Sequence, residues 1–313
     1  MTLLKRKRVL AAEIETTPGT ATSLSATDAG FNVYDVMAQT ETEVEAREGQ
    51  GAFGMDSSVP GARKGRVQFK LDASYDGTNV PTWATTFLPA CGWVNSSGVF
   101  TPQTKAPGAL VTDPKTLTLG VYIDGIRKLL RGCVGTFRLA CPAGKVAVFE
   151  FDFMGVWDGV TDTAIISPTY PTAKGLRFAS STTTWNSVVL QVENLTLDSG
   201  NTMILREDST DVSGYLAGLV TNRVVKITGN PEAKTVATQD RYGKLLDMSE
   251  HALTFSLDGP TNSSITIAAP KAQIISISEA DRENMVVDEI EWGCNRNGSS
   301  VDQEASITFT ASS

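Results

Sequence analysis

The residues that could perform nucleophilic or acid–base chemistry are few in this sequence. It contains one histidine, His251, which follows Glu250 and stands just before an alternating apolar segment. A Ser-His-Asp triad uses histidine as its general base, so a triad here would depend on that residue. The sequence has no GxSxG nucleophile elbow to supply a partner serine. A single histidine at the start of a strand is typical of a structural or exposed side chain, and we expect no triad.

The usual ligand patterns for metals and phosphates are also missing. Four cysteines, Cys91, Cys133, Cys141 and Cys294, form no CxxC pair, whereas zinc sites combine Cys and His at short spacings. Residues 208–211 carry two aspartates but lack the central Gly and closing Glu of an EF-hand loop. Neither GxxxxGKS/T nor GxGxxG occurs. We therefore expect no cofactor, no metal and no enzymatic activity; a β-rich hydrolase that pairs two carboxylates is the remaining enzyme alternative.

The cysteines and the N-terminal residues indicate a reducing compartment. Residues 3–10 have the basic charge of an export signal, but Glu13 and Glu15 interrupt the apolar stretch that would have to follow. We expect no export and interpret the cysteines as buried thiols. A hairpin disulfide between Cys133 and Cys141 is the alternative.

Composition and charge argue against two further classes of protein. The chain of 313 residues is 41% hydrophobic and 20% charged, which is typical of a soluble globular protein. It has no apolar run of the roughly 18 to 20 residues that a membrane span needs, so we expect no membrane contact. The formal net charge is −8. Because nucleic-acid affinity depends on clustered Lys and Arg, this balance argues against general DNA binding.

Alternating apolar and polar residues predict a mainly β fold. Within residues 66–75 the apolar side chains share one strand face and the polar side chains share the other. The same period of two recurs in residues 117–124, 147–153, 253–258 and 305–310. Strands with one apolar face are typical of antiparallel sheets in sandwiches or barrels.

Two short segments predict helices. Residues 81–88 place Trp83 and Phe87 one turn apart on one helical face, and Pro89 follows them. Residues 241–248 occupy the corresponding position in the second half of the chain. We expect each helix to cover one flank of a sheet and to bury apolar side chains there.

Similar strand phrases occur in both halves of the chain and indicate a duplicated module. Residues 66–71 resemble residues 223–227, and residues 149–155 resemble residues 287–293. Repetition of this kind is typical of proteins that present equivalent edges to their neighbours. It predicts an N-terminal arm over residues 1–30, a first module over residues 31–165 and a second module over residues 175–313.

Two charged segments interrupt the strand pattern. Glu41, Glu43 and Glu45 fall on one face of a predicted strand, about 7 Å apart, where they repel each other unless water or cations intervene. They form either a solvated face or an acidic wall directed at DNA or at a basic neighbour. The run Lys5, Arg6, Lys7 and Arg8 is either a solvated run or part of an arm that docks on a neighbouring subunit. The Ser/Thr/Ala-rich residues that follow are expected to add nothing to a core.

Short sequence segments typical of strands and turns follow one another in a characteristic order along most of the chain. They lie in residues 13–21, 61–75, 81–93, 130–137, 144–155, 270–276, 281–283 and 307–309. In this order they resemble the major tail tube proteins of long-tailed bacteriophages with non-contractile tails. The ordered series, rather than one motif, carries the resemblance.

The resemblance implies a fold, partners and a location. In that family each tube module is a β-sandwich or half-barrel with a flanking helix, and rings of six modules stack into a hollow tail. Two tandem modules then imply a homotrimeric ring with pseudo-sixfold symmetry, with a homohexamer as the alternative. The implied partners are further copies of the chain, a tape-measure protein and tail-completion proteins. The implied location is the virion tail, assembled in the bacterial host cytoplasm, and DNA would pass through the tube to the host without specific binding.

The resemblance also implies positions in the tube for the two charged segments. The candidate residues for an acidic lumen face are Glu41, Glu43, Glu45, Glu150 and Asp152. The candidate residues for an inter-ring arm are Lys5, Arg6, Lys7 and Arg8.

The alternative function is a carbohydrate-binding β-sandwich on the virion surface, for which the aromatic candidates are Trp157, Trp185 and Tyr170.

Overall fold

The structure is a computed structural model that describes residues 4, 7–47, 53, 55–103, 115–259, 263–298 and 302–311. Strands dominate it, so the expected mainly β fold is confirmed. The strands are β1 (Arg8–Ile14), β2 (Val33–Glu45), β3 (Val59–Asp72), β4 (Trp93–Ser96), β5 (Val99–Pro102), β6 (Leu117–Ile123), β7 (Ile126–Pro142), β8 (Val148–Asp162), β9 (Thr184–Trp185), β10 (Val188–Val189), β11 (Val192–Asp198), β12 (Asn201–Glu207), β13 (Tyr215–Arg223), β14 (Lys226–Pro231), β15 (Glu250–Asp258), β16 (Ser263–Arg282), β17 (Met285–Cys294) and β18 (Ser306–Ala311). The helices are α1 (Thr82–Ala90) and α2 (Arg241–Leu246), and a 3-10 turn spans Ala26–Ala29.

The strands of the first half form one antiparallel series. β1 pairs with β6, β6 with β7, β7 with β8, β8 with β3, and β3 with β2. The β6–β7 hairpin turns at Asp124 and Gly125, which both have positive φ. Tight hairpins favour this conformation because its twist matches that of the flanking strands, and the Asp-Gly pair suits it.

The second half repeats this pairing order strand by strand. β9 pairs with β15, β15 with β16, β16 with β17, β17 with β14, and β14 with β11. An irregularity in the ladders also recurs. The β2–β3 ladder shifts its register between Tyr34 and Met37, and the β11–β14 ladder shifts between Val192 and Leu195. The two halves therefore share one strand topology.

These ladders correct the register in which the sequence comparison matched the two halves. Val67 faces Phe153 across β3 and β8, and Ile227 faces Trp292 across β14 and β17; all four side chains are buried. Phe153 therefore corresponds to Trp292, whereas the sequence comparison set it against Glu291. Because side chains alternate between the two faces of a strand, a shift of one residue exchanges the core face and the solvent face.

A ladder between β7 and β11 joins the two strand sets. Residues 194–198 of β11 pair antiparallel with residues 138–142 of β7. The end of β7 is thus flanked by β8 on one side and by a strand of the second half on the other. The buried apolar side chains of both halves form one contiguous core cluster.

Helix α1 covers the apolar face of the first strand set, as expected from residues 81–88. The ring of Phe87 lies 4.9 Å from that of Phe69 and 5.3 Å from that of Phe151. Trp83 is also buried, and its Nε1 donates to the Ser74 carbonyl oxygen at 3.0 Å. Full burial of an aromatic ring contributes about 1.5–3 kcal/mol, so these contacts hold the helix on the sheet.

Helix α2 lies where the sequence predicts it but buries only part of the expected apolar face, since Leu245 alone of its three apolar candidates packs against the core. It begins after Asp240, whose carboxylate accepts from the Gly243 backbone N–H at 2.7 Å. Tyr242 and Leu246 are exposed, and the buried side chain of the helix is Arg241. The expectation of an apolar seal is therefore wrong for these two residues. A polar anchor holds this helix to the sheet.

Strand β1 enters the core, although the sequence analysis assigned it to an N-terminal arm over residues 1–30. Strand β1 pairs along its full length with β6, and Leu10 and Ala12 belong to the core cluster. Both faces of the strand bury apolar side chains, since Val9 and Ala11 are buried as well. A strand buried on both faces lacks the alternation by which half-buried strands are recognised.

Strands β12 and β13 form a separate two-stranded hairpin that packs on β7 and β8. The contact is close at Gly132, where an added Cβ would stand 2.8 Å from the Cα of Ala217. Gly132 also has a φ of +58°, a conformation that glycine adopts without strain. The hairpin belongs to the second half of the chain and thereby packs closely on strands of the first half.

Candidate functional site

The polar sides of β3 and β8 carry a set of charged side chains, which we call the first polar face. It consists of Arg66, Gln68, Lys70, Glu150 and Asp152. Arg66 makes two contacts to the Asp152 carboxylate, of which Nε to Oδ1 measures 2.6 Å. Lys70 Nζ lies 2.7 Å from Glu150 Oε1. The hydrogen bond to its carboxylate raises the pKa of each of these two bases.

The second half has an equivalent surface, the second polar face, which comprises Lys226, Thr228, Glu289 and Glu291. Lys226 Nζ lies 2.7 Å from Glu291 Oε1. Since Phe153 corresponds to Trp292, Asp152 corresponds to Glu291, and Arg66 corresponds to Lys226 rather than to Arg223. The ion pair between β3 and β8 is thus repeated between β14 and β17.

A cavity of about 640 Å³ opens over the first polar face. Its charged lining residues are Arg8, Lys70, Arg138, Asp35, Glu150, Asp152 and Asp198. The volume falls within the range of small-molecule sites, but such sites combine an apolar lining with a few polar groups that await a ligand. Here Lys70 and Asp152 already bind other side chains of the same surface. Lys70, Glu150 and Asp152 are therefore neutralised within the surface, and Val36, Met37, Phe69, Phe137 and Phe151 supply an apolar part of the lining.

Glu41, Glu43 and Glu45 stand near basic side chains instead of forming an isolated acidic wall. Lys64 Nζ lies 3.6 Å from Glu41 Oε1 and 4.0 Å from Glu43 Oε1. Glu45 lies 3.5 Å from Arg47. Glu41 faces Lys64 across the β2–β3 ladder, on the strand side that also carries Arg66. It therefore continues the first polar face along β3.

Of the four N-terminal basic residues, the structure describes Lys7 and Arg8. Lys5 and Arg6 lie outside the described residues. Lys7 is exposed and stands 3.4 Å from Asp124. Arg8 begins strand β1, and its guanidinium donates to the Val36 carbonyl oxygen. Arg8 is thus part of the folded body and contacts strand β2.

Sequence reasoning missed Glu15, which is buried. Its carboxylate accepts from the backbone N–H groups of Gly19 and Gly132, each at 2.7 Å, and from the hydroxyls of Thr116 and Thr118 at 2.7 and 2.9 Å. A buried carboxylate is stable only when such donors satisfy it. Gly19 is only four residues away, but the other three donors come from distant segments, so the local pattern does not reveal this site.

Two buried arginines were also missed. Arg131 binds both carboxylate oxygens of Asp211 at 2.8 Å and donates to the Gly19 carbonyl oxygen at 2.7 Å. Arg241 NH1 lies 2.5 Å from Asp288 Oδ2, with side chains only 2% and 5% exposed. The sequence feature that could have revealed a buried arginine is a charged residue within a strongly apolar strand segment, as at Arg131. Because buried charges must be paired, each buried arginine implies an acidic partner, but the sequence does not identify that partner.

Of the residues considered for catalysis or glycan binding, His251 and Trp185 contact each other edge to face, with ring centroids 5.4 Å apart. His251 Nε2 lies 3.1 Å from Ser249 Oγ. The pKa of His251 is lowered, mainly because the ring is partly buried and secondly because the positive charge of Lys244 is nearby. Trp185 is fully buried and its Nε1 donates to the Ala272 carbonyl oxygen at 3.4 Å, so it has no face for a sugar. Tyr170 is exposed.

The cysteines are buried free thiols, as expected, so the Cys133–Cys141 disulfide is absent. Burial raises the pKa of all four, to about 12 for Cys294. Among the described residues, no group of three or more His, Cys, Asp or Glu side chains is arranged to hold a metal ion. No helix in the described ranges is long and apolar enough to cross a membrane.

A family model for the phage tail tube protein matches residues 5–311. No curated protein sequence matches the chain. The matched range includes both strand sets and the hairpin between them.

Proposed function

The chain belongs to the phage tail tube protein family, and from this membership we propose that it assembles into stacked rings that conduct DNA to the host cell. The family places it among the structural proteins of the virion tail. Ring formation, the symmetry of the ring and the passage of DNA are the parts that we propose.

The observation that carries the proposal is the repeated pairing order of the two strand sets. One chain supplies two equivalent sheets, already joined edge to edge by β7 and β11. Three chains would supply six such sheets, and closure into a ring removes the open edges that otherwise cause aggregation. We therefore propose a homotrimeric ring with pseudo-sixfold symmetry, and the homohexamer remains the alternative.

The polar faces are the surfaces that we assign to the lumen. Helix α1 packs against the opposite, apolar side of the first strand set, so a polar face toward the bore leaves the helix outside. DNA affinity depends on unpaired Lys and Arg that release counterions from phosphates. On the polar faces Arg66, Lys70 and Lys226 are all paired with carboxylates. Such a wall lets DNA slide, and Glu41, Glu43 and Glu45 would extend it along β2.

The remaining partners follow from the tube itself. A tape-measure protein would fill the lumen before DNA does, and tail-completion proteins would close the ends of the tube. We propose assembly in the cytoplasm of the bacterial host. The residues before β1, with Lys5, Arg6 and Lys7, are the proposed contact between successive rings, whereas Arg8 contributes within the fold.

Electron microscopy and native mass spectrometry of the purified protein test this proposal. We expect hollow tubes or rings, with the mass of three chains for each ring. A ring mass of six chains would replace the trimer by the hexamer. A protein that stays monomeric at all concentrations and salt conditions would overturn the assignment of ring formation to this chain.

A further inference from the structure

The junction inside the chain serves as a template for a junction between chains. β11 adds to the free edge of β7 beyond the end of β6, with Thr196 facing Ala140 and Asn194 facing Pro142. β2 is the counterpart of β11, and β16 is the counterpart of β7. If the chain repeats its own geometry, β2 of one copy adds to β16 of the next.

The register of this second junction follows from the ladders. Ala38 faces Val67 and Leu197 faces Ile227, so Ala38 corresponds to Leu197 and Met37 corresponds to Thr196.

On the other strand, Arg138 faces Glu150 and Ser278 faces Glu289. Glu150 and Glu289 are equivalent positions, so Ala280 corresponds to Ala140 and Arg282 corresponds to Pro142.

Both edges are open in the described part of the chain. β2 pairs only with β3. Residues 278–282 of β16 pair only with β17, since β15 and β18 pair with earlier residues of that strand. Unpaired strand edges of this kind are templates for another strand.

Side chains occupy the edge of β2 where a strand could lie. Arg8 donates to the Val36 carbonyl oxygen, and Lys128 Nζ stands 3.5 Å from the Ala38 carbonyl oxygen. Long basic side chains protect an edge from indiscriminate pairing, and their charged ends can turn to water when another strand takes the edge. They mark this edge as one that a specific partner strand takes over.

The side chains that would meet are complementary. Asp35 would face Arg282, whose guanidinium lies 2.9 Å from Glu232 Oε1 within the chain, so Asp35 would add a second carboxylate to an existing ion pair at one end of the ladder. Met37, which is 51% exposed in the isolated chain, would face the small side chain of Ala280. A contact between two different edges of identical chains is heterologous and can close into a ring.

We propose that residues 35–39 of one chain pair antiparallel with residues 278–282 of a second copy, with Met37 opposite Ala280 and Asp35 opposite Arg282. The proposal rests on ring assembly and specifies the strands and the register that form the ring. It makes the junction between chains the counterpart of the β7–β11 junction within the chain.

Engineered cysteines test the register, because facing residues of antiparallel strands have Cα atoms about 4.5–5.5 Å apart, within the reach of a disulfide. The variants Met37→Cys and Ala280→Cys are mixed, assembled and oxidised. We expect a covalent dimer on a denaturing gel, and the double variant should yield covalent trimers. The native thiols are buried with raised pKa values and do not compete.

Two controls define the outcomes. Thr196→Cys/Ala140→Cys should form the equivalent disulfide within one chain, and each single variant alone should stay uncross-linked between these strands. If tubes form and the control pair oxidises while the mixed variants stay monomeric, this junction is overturned and the tube function stands. If neither the wild type nor the variants form rings, ring assembly fails and this junction fails with it.

Discussion

Arg66 on β3 reaches diagonally across the sheet to Asp152 on β8, and its Nε lies 2.6 Å from Asp152 Oδ1. Lys226 and Glu291 make the equivalent contact in the second half. The ion pair at these two positions is therefore repeated from one strand set to the next. In the proposed tube, this pairing would keep Arg66 and Lys226 from contacting DNA phosphates.

Removal of one acid from the first polar face should make the tube retain DNA. Asp152→Asn leaves Arg66 without its carboxylate, so its charge becomes available to phosphates. We expect tubes of this variant to bind double-stranded DNA at 50 mM salt and to release it near 200 mM, since each phosphate contact lowers log K by about 0.9 for each unit of log salt. Filter binding at the two salt concentrations measures the effect.

Asp162→Asn is the matched control for the DNA experiment, because it removes the same charge near the end of the same strand. We expect no DNA retention by this variant. Equal retention by both variants would show that net charge, and not the polar face, sets the affinity.

The buried pair of Arg241 and Asp288 should matter more to stability than any exposed pair. Asp288→Ala leaves a buried guanidinium without its partner, which costs about 3–5 kcal/mol. Asp247→Ala removes an exposed partner of Lys244 and should leave the free energy of unfolding close to that of the wild type. Urea unfolding at neutral pH measures both free energies. Equal losses for the two variants would show that the Arg241 pair is not the anchor of α2.

Short and long N-terminal deletions should have different effects. Deletion of residues 2–6 ends before β1, so we expect a thermal midpoint close to that of the full chain together with impaired stacking of rings. Deletion of residues 2–20 removes β1 and the Glu15 carboxylate, so we expect a protein that does not fold. Circular dichroism and tube length in micrographs separate fold from stacking. Full-length tubes from the short deletion would refute the inter-ring role of these residues.

Stability should decline at alkaline pH because of the buried thiols. Burial raises the pKa of Cys294 from 9.0 to about 12, so the unfolded thiol ionises at a lower pH than the folded thiol does. The stabilisation is complete below about pH 9 and is lost as the pH rises toward 12, by up to about 1.4 kcal/mol for each pH unit. Unfolding free energies at pH 8.5 and 10.5 should differ less in Cys294→Ala than in the wild type. An unchanged difference would exclude this thiol as a source of the pH dependence.

The alternation of apolar and polar residues was enough to predict the mainly β fold and the faces of many individual strands. It placed Phe69 inside and Lys70 outside, because consecutive side chains in a strand point to opposite faces. The two helices were also predictable, since α1 needs only the spacing of Trp83 and Phe87, although the helix continues through Pro89 to Ala90 instead of stopping at the proline. These are local properties, and local physics determines them.

The tertiary structure decided the properties that depend on pairing between distant segments. The match of Phe153 with Trp292 was missed by one residue, because sparse identities do not constrain a register that hydrogen-bonded ladders define. Three of the four donors around Glu15 and the acidic partner of Arg241 come from segments far along the chain, so no local pattern reveals them. The sequence by itself determined which side chains are apolar and how they alternate; only the fold decided which edges remain open for a neighbour, because an edge is open only when no other strand of the chain reaches it.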